Sequence, residues 1–202
     1  MRLISFNPAM LAAVHAGRKT VTRRRLWPEL PPQQDPGRYR YHGLAEAGAV
    51  FEDLLTSTML APVPCPFGQP GDVLQVQEDP TLQLRIASIR AEQVRSLSEA
   101  DALAEGVNSA EHEGSMRWGG VEPDPDAAGS FRWYSSPVAA FQGLLTSIYP
   151  AAWDRNEWMW VVAFNRVVHE AHLLPPGDAR LLENTQHGHR VGGGGERPGS
   201  GQ

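Results

Sequence analysis

The chain has 202 residues, 41% of them hydrophobic, which is enough for one domain with a buried core and argues against a disordered chain. It has no apolar run of roughly eighteen residues and no signal-peptide pattern at its start, so we predict no membrane span and a cytoplasmic location. Cys65 is the only cysteine, which excludes an intrachain disulfide and a cysteine-based zinc cage and suits a reducing compartment.

The charge is unevenly distributed along the chain, although the formal net charge is only −5. Residues 1–40 contain eight basic and two acidic residues, and the remainder contains ten basic and 21 acidic residues. One interpretation is that the basic N-terminal part binds a phosphate while the rest of the chain stays acidic. The alternative is that these charged residues are simply exposed to solvent.

The first 24 residues are predicted to form a strand, a helix and a second extended segment. Arg2–Phe6 is typical of a short strand. Asn7, followed by proline, predicts a helix cap, and Gly17 suits the end of that helix. The β-branched segment Lys19–Arg24 is predicted to be extended.

The segment 27–70 is rich in proline, glycine and glutamine, and we predict a long loop there with one short helix near Phe51–Leu60. The remaining predicted elements are strands at Val73–Glu78 and Leu82–Val94, a helix from Ser98 to about Glu105, a loop at 108–130, a helix at Ser136–Tyr149, a central strand at Glu157–Val167 and a disordered Gly/Pro-rich tail at 175–202. Strands interleaved with a few helices predict an α+β protein with a curled sheet or barrel.

Four segments occur in the order found in one protein family. The segment Gly17–Arg24 resembles the GxKTxTRR signature of ASCH domains, especially the longer phage and prophage members. Cys65–Asp72 resembles their CPYGxPGD turn, Leu97–Val107 their "ISEEDAxAEGI" helix, and Trp153–Val161 their closing strand. The resemblance covers roughly residues 2–166.

The resemblance implies a PUA-like β-barrel with flanking helices, an ASCH domain at 1–170 in which 27–70 is an inserted loop, and a cleft beside the signature. Small members of the family hydrolyse N4-acetylcytidine, and their catalytic lysine, threonine and glutamate fall on Lys19, Thr22 and Glu105. Another member acts as a ribonuclease. The family's usual LWVRE is replaced by LQVQE ending at Glu78, and the segment between Glu78 and Thr81 is shorter than usual, which removes part of the expected cleft wall.

Lys19 is the only lysine among 18 basic residues. Lysine can lose its proton when it is desolvated or close to other cations, whereas arginine effectively cannot. Arg18, Arg23 and Arg24 are close enough in sequence to lower its pKa. A neutral Lys19 could then act as a general base toward the Thr22 hydroxyl or a water.

Spacing limits this chemistry, because residues three apart in a regular strand face opposite sides. Lys19 and Thr22 can converge only if Lys19 lies in the turn after Gly17 or if a bulge intervenes. The other predicted contacts are Arg18, Thr20, Arg23 and Arg24 for phosphate or oxyanion, Trp27, Trp118 and Trp133 as loop residues that stack on bases, and Glu78 as a cleft carboxylate.

Four functions remain open at the level of sequence. The first is a module that binds RNA, single-stranded nucleic acid or a modified nucleoside. The second is an N4-acetylcytidine amidohydrolase, the third a metal-independent ribonuclease, and the fourth a phage-derived accessory protein that acts through protein contacts. We predict no metal and no cofactor, and the sequence leaves the oligomeric state open.

Overall fold

The computed structural model describes residues 1–167, and these form an α+β structure that consists mostly of strands. The predicted tail at 175–202 and the end of the predicted 1–170 domain lie outside the described residues. The strands are β1 (Arg2–Ile4), β2 (Val21–Arg25), β3 (Tyr39–Ala45), β4 (Gly48–Asp53), β5 (Thr58–Met59), β6 (Val73–Val76), β7 (Gln83–Gln93), β8 (Asn108–His112), β9 (Ser115–Pro123), β10 (Phe131–Tyr134) and β11 (Trp158–Arg166). The α-helices are α1 (Pro8–His15), α2 (Pro31–Gln34), α3 (Glu99–Ala104) and α4 (Pro137–Ile148), and 3-10 turns occupy Pro36–Arg38 and Val94–Ser96.

The largest sheet has five strands in the order β1-β6-β7-β11-β2. Strands β1 and β6 are parallel, and the other neighbours are antiparallel. The predicted central strand is confirmed, because β11 lies between β7 and β2 and its residues Trp158–Val162 are all buried. The signature segment on β2 therefore pairs with β11, the last strand of the described residues.

Two smaller sheets complete residues 1–167. Their strand orders are β3-β4-β5 and β10-β9-β8, and none of the three sheets in this part of the chain closes into a barrel. The α+β class is thus confirmed at the coarse level. No helix in residues 1–167 is long and apolar enough to cross a membrane.

The helix boundaries follow the capping signals in the sequence. The Asn7 side chain accepts a hydrogen bond from the Met10 N–H at 2.7 Å and caps α1. Ser98 and Asp101 form a reciprocal capping box at the start of α3. Ser136 caps α4, whose apolar face is largely buried.

The predicted long loop at 27–70 is wrong, as is the helix near Phe51–Leu60. This segment contains α2 and the sheet β3-β4-β5. In β4 the buried residues Ala49, Phe51 and Asp53 alternate, and Phe51 packs edge-on against Trp158 with ring centroids 5.1 Å apart. The segment 27–70 therefore has the composition of a loop but contains a sheet that packs on Trp158 through a long-range aromatic contact.

The predicted loop at 108–130 is also wrong, because β8 and β9 form a hairpin within it. Glu113 and Gly114, at its turn, both have positive φ, 50° and 75°, which is the conformation that tight hairpins prefer. Trp118 and Trp133 consequently lie on β9 and β10 and not in loops. The ring of Trp133 lies against Gly119, within about 3 Å of where a Cβ would stand.

Candidate functional site

A turn after α1 carries Lys19 into the interior of the protein. Gly17 adopts a φ of +72°, which ends the helix. The backbone N–H groups of Arg18 and Lys19 then both donate to the Ala13 carbonyl, at 2.9 and 3.0 Å. Lys19 is thereby held in the turn, before β2 begins.

Because Lys19 lies in the turn, its spacing of three residues from Thr22 does not place the two side chains on opposite faces of a strand. The Thr20 N–H donates to the Ala104 carbonyl at 2.9 Å and fastens the turn to the end of α3, while the Thr20 residue itself is exposed. Because Lys19 is not part of the strand, it and Thr22 are free of the alternation of strand side chains. Both are buried and both line one cavity.

The Lys19 ammonium is fully hydrogen-bonded. Its Nζ donates to the Val21 carbonyl at 2.8 Å, to the Glu105 carbonyl at 3.0 Å and to Glu105 Oε2 at 2.6 Å. A lysine ammonium has three donors, and these contacts use all of them. The Lys19 and Glu105 side chains are 1% and 2% exposed, so the pair is removed from water.

Burial lowers the pKa of Lys19 below its ordinary value of 10.5, and the charge of Glu105 opposes that shift. The charges of Arg24 and Arg23 lower the Lys19 pKa further. The arginines thus act in the direction expected from the sequence, but desolvation is the larger cause. A Lys19–Glu105 pair at 2.6 Å is suited to passing a proton between its members.

Arg23 is a buried partner of carboxylates. Its guanidinium contacts Glu105 Oε1 at 3.3 Å, Glu92 Oε2 at 3.0 Å and Asp101 Oδ1 at 3.1 Å. Burial disfavours the charged Arg23, but the three carboxylates raise its pKa. Arg23 therefore holds the second oxygen of Glu105, and its 1% exposed side chain is engaged within the protein instead of being presented to a phosphate.

The cavity beside this cluster has a volume of about 290 Å³. Its polar wall contains Lys19, Thr22 and Glu105, together with Arg23 and Arg24. The rest of its wall is mainly apolar and comes from the start of the chain and from α4, namely Ser5, Phe6, Asn7, Met10, Phe141, Leu144, Leu145, Ile148 and Tyr149. The three residues that the resemblance implied as catalytic thus share one small cavity.

Arg24 lines the same cavity but, unlike Arg23, it has no carboxylate partner among the described residues. Its Nη2 donates to the Ser5 carbonyl, and its guanidinium lies over the Phe6 ring, 5.7 Å from the centroid. Within residues 1–167 no carboxylate lies within 4 Å of it, and its Nε is buried without a hydrogen-bond partner.

Glu78 does not line the cavity but holds its wall. It accepts from the Ser5 hydroxyl at 2.5 Å and from the Phe6 N–H at 3.1 Å. The bond from Ser5 is the main reason that the pKa of Glu78 is lowered. The predicted cleft carboxylate is therefore an exposed residue outside the cavity, bonded to the two residues that contact Arg24.

The other predicted contacts lie outside this cavity. Arg18 is exposed and donates to the Gly106 carbonyl at 3.0 Å. Trp27 is 52% exposed in the turn after β2. Trp133 packs against His112 on the β8-β9-β10 sheet, with ring centroids 4.8 Å apart.

Most other arginines of residues 1–40 pair with carboxylates from the acidic remainder. Arg25 makes two hydrogen bonds to the buried Glu157, at 2.6 and 2.8 Å. Further pairs join Arg2 to Asp72, Arg38 to Asp53 and Arg40 to Glu52. The charge division of the sequence thus corresponds largely to ion pairs, which leaves little free positive charge among residues 1–40 for an extended phosphate backbone.

A larger cavity, of about 490 Å³, lies on the opposite face of α4. Its ionisable groups are Glu122, Arg132 and Tyr134, and these bond to one another. Burial and the Glu122 carboxylate raise the pKa of Tyr134 to about 12. None of the residues predicted from the sequence lines this cavity, and its charged groups have partners, so we place the candidate site at the Lys19 cavity.

The sequence did not point to the apolar wall of the site. Phe141, Leu144 and Leu145 lie on the buried face of α4, and they also form the side of the cavity. Ser5 and Phe6 carried no signal beyond that of a short strand.

Gly106 allows the end of α3 to approach Lys19. It has a φ of +105°, and a Cβ there would lie 3.0 Å from the Ala13 Cβ and 3.3 Å from the Lys19 Cβ. We expect Gly106→Ala to lower the free energy of unfolding by about 1–3 kcal/mol, measured by urea denaturation. Gly37→Ala, with no atom within 4 Å of its Cβ position, is the control. Equal stability of the two variants contradicts this role.

We compared the chain with protein-family models, with curated proteins and with solved structures, and nothing matches it.

Proposed function

We propose that the chain is an ASCH-type domain of the PUA-like class, and that its cavity binds a modified nucleoside and hydrolyses an N4-acyl group, as in N4-acetylcytidine. The observation that carries the proposal is the buried Lys19–Glu105 pair, 2.6 Å apart, in one cavity with Thr22. These are the three residues that the family resemblance implies as catalytic.

The size of the cavity favours a nucleoside over a strand of RNA. A volume of about 290 Å³ lies just below the range for small-molecule pockets, roughly 300–1,000 Å³. Its apolar walls suit the faces of a base, and its polar end suits an amide. A ribonuclease needs cations for the phosphate backbone, and most arginines near this site already have carboxylate partners.

The pair can support hydrolysis by moving one proton. The Thr22 hydroxyl or a water attacks the acyl carbon, and its proton passes to the Lys19–Glu105 pair after Lys19 has given a proton to Glu105. The pair returns a proton to the N4 nitrogen as the C–N bond breaks, which releases cytidine. The acyl group leaves as a carboxylate, directly after attack by water or after water has cleaved the ester on Thr22.

One observation favours binding without turnover as the second candidate. With all three donors of Nζ in use, the resting Lys19 ammonium has neither a lone pair nor a free N–H for a ligand in the cavity. Hydrolysis therefore requires that Lys19 release one of these contacts when substrate binds. A module that only binds a nucleoside needs no such change.

Titration with free N4-acetylcytidine, and with a short RNA containing the same base, tests the size argument. We expect the free nucleoside to bind at least as tightly as the RNA and its affinity to vary little with salt, because a nucleoside has no phosphate. Tight binding of the RNA alone, falling steeply with salt, contradicts the proposal and favours the RNA-binding alternative. RNA cleavage in EDTA, lost in Lys19→Arg, supports the ribonuclease instead.

A further inference from the structure

We propose that Arg24 binds the anionic oxygen of the ligand in this cavity: the acyl oxygen during attack and the carboxylate once the amide is cleaved. The inference rests on the proposed function for the identity of the ligand. The sequence predicted four residues that contact a phosphate or an oxyanion, namely Arg18, Thr20, Arg23 and Arg24. The inference assigns the binding of this oxygen to Arg24 and not to the other three.

The two other cations of the cavity are occupied. Lys19 uses its three donors on Val21 and Glu105, and Arg23 contacts three carboxylates at 3.0 to 3.3 Å. Lys19 has no donor left for a ligand unless an internal bond breaks, and the charge of Arg23 is already balanced by its carboxylate partners. Arg24 is the cavity-lining cation in residues 1–167 that has no carboxylate within 4 Å.

Arg24 also has donors to spare. A guanidinium has five N–H donors, and the hydrogen bond to the Ser5 carbonyl uses one of them. The Arg24 Nε is buried without a partner, which is costly for a charged donor. The Nη donors that Ser5 does not use can bind a ligand oxygen, and a carboxylate can accept two guanidinium N–H groups at once.

The guanidinium is held ready by the wall of the cavity. Phe6 lies beneath it, and Ser5 accepts from it through the backbone. Glu78 in turn holds the Ser5 hydroxyl and the Phe6 N–H, at 2.5 and 3.1 Å. This second layer fixes the orientation of Arg24 without neutralising it by direct contact, which suits an anion-binding group.

The experiment uses acetate as the probe and requires no turnover. Wild-type protein is titrated with sodium acetate at constant ionic strength, against sodium chloride, and chemical shifts of backbone amides are followed. The variant is Arg24→Gln, and the matched control is Arg117→Gln, at an exposed position on β9 outside the cavity. Thermal unfolding of each variant shows that it is folded.

We expect acetate to shift amides around Ser5, Phe6 and Thr22, and Arg24→Gln to weaken this binding by about tenfold or more. Arg117→Gln should bind acetate like the wild type. Glu78→Gln should weaken binding by a smaller factor, because it loosens the wall without removing the guanidinium. If wild type does not bind acetate at this cavity, or a folded Arg24→Gln binds it equally well, the inference is wrong.

The outcome is separable from that of the proposed function. Loss of acetate binding in Arg24→Gln, in a protein that does not release cytidine from N4-acetylcytidine, supports the anion site and rejects the hydrolase. Cytidine release with unchanged acetate binding does the reverse. In an active protein, Arg24→Gln should also move the rising limb of the pH–rate profile to higher pH, because the Arg24 charge lowers the pKa of Lys19.

Discussion

Lys19→Arg is expected to reduce hydrolysis of N4-acetylcytidine by roughly 10²–10⁴-fold, the usual contribution of a general base. The substitution keeps the positive charge beside Glu105 but removes a group that can lose its proton. Burial lowers the pKa of Lys19 below its ordinary value, whereas an arginine in the same place stays protonated. Initial rates of cytidine release, measured with both proteins, check this result.

Two further variants serve as controls for Lys19→Arg. Lys19→Met has a side chain of similar length without charge, and it should be equally inactive, although Glu105 keeps Arg23 as a partner. Arg117→Lys makes the reverse exchange at an exposed position and should leave the rate unchanged. A folded Lys19→Arg protein that retains a rate within about tenfold of the wild type would exclude Lys19 as the base.

Glu105→Leu is expected to lower the free energy of unfolding by about 3–5 kcal/mol, because it leaves the ammonium of Lys19 buried without its carboxylate. The two side chains are 1% and 2% exposed, so water cannot replace the lost partner. The double variant Lys19→Met/Glu105→Leu should recover most of this loss, since an apolar pair of similar volume avoids the desolvation of both charges. Urea denaturation of the four proteins gives the coupling free energy.

This cycle also separates stability from activity. The double variant should be nearly as stable as the wild type and yet have no hydrolase activity. Arg40→Gln removes an exposed ion pair with Glu52 and should change stability by less than about 1 kcal/mol. If the double variant is as unstable as Glu105→Leu alone, the pair is a structural requirement of this core, and its burial is no sign of a catalytic role.

Local signals in the sequence predicted those elements of the fold that local interactions determine. Asn7 and Ser98 accept backbone hydrogen bonds within their own helices, so their meaning can be read from three or four neighbours. The sheet β3-β4-β5 could not be predicted in this way. Its central residue Phe51 is buried against Trp158, which is more than a hundred positions away, and the surrounding prolines and glycines are typical of a loop.

The candidate site was predictable only through the family resemblance. Lys19 stood out as the single lysine, but nothing in its spacing connects it to Glu105, 86 positions later. The structure brings the two together because the turn after α1 is fastened to the end of α3. The different tasks of Arg23 and Arg24 were not separable from the sequence, because the carboxylates that occupy Arg23 belong to β7 and α3. Membership of the ASCH family itself stays a prediction.

The most direct test of the account is the stoichiometry of products formed from free N4-acetylcytidine by the wild-type protein. We expect cytidine and acetate in equal amounts, at a rate proportional to enzyme concentration and far above that of a folded Lys19→Met protein prepared identically. If the wild type releases no more cytidine than Lys19→Met does, the Lys19–Glu105 cavity is not an amidohydrolase site for this substrate.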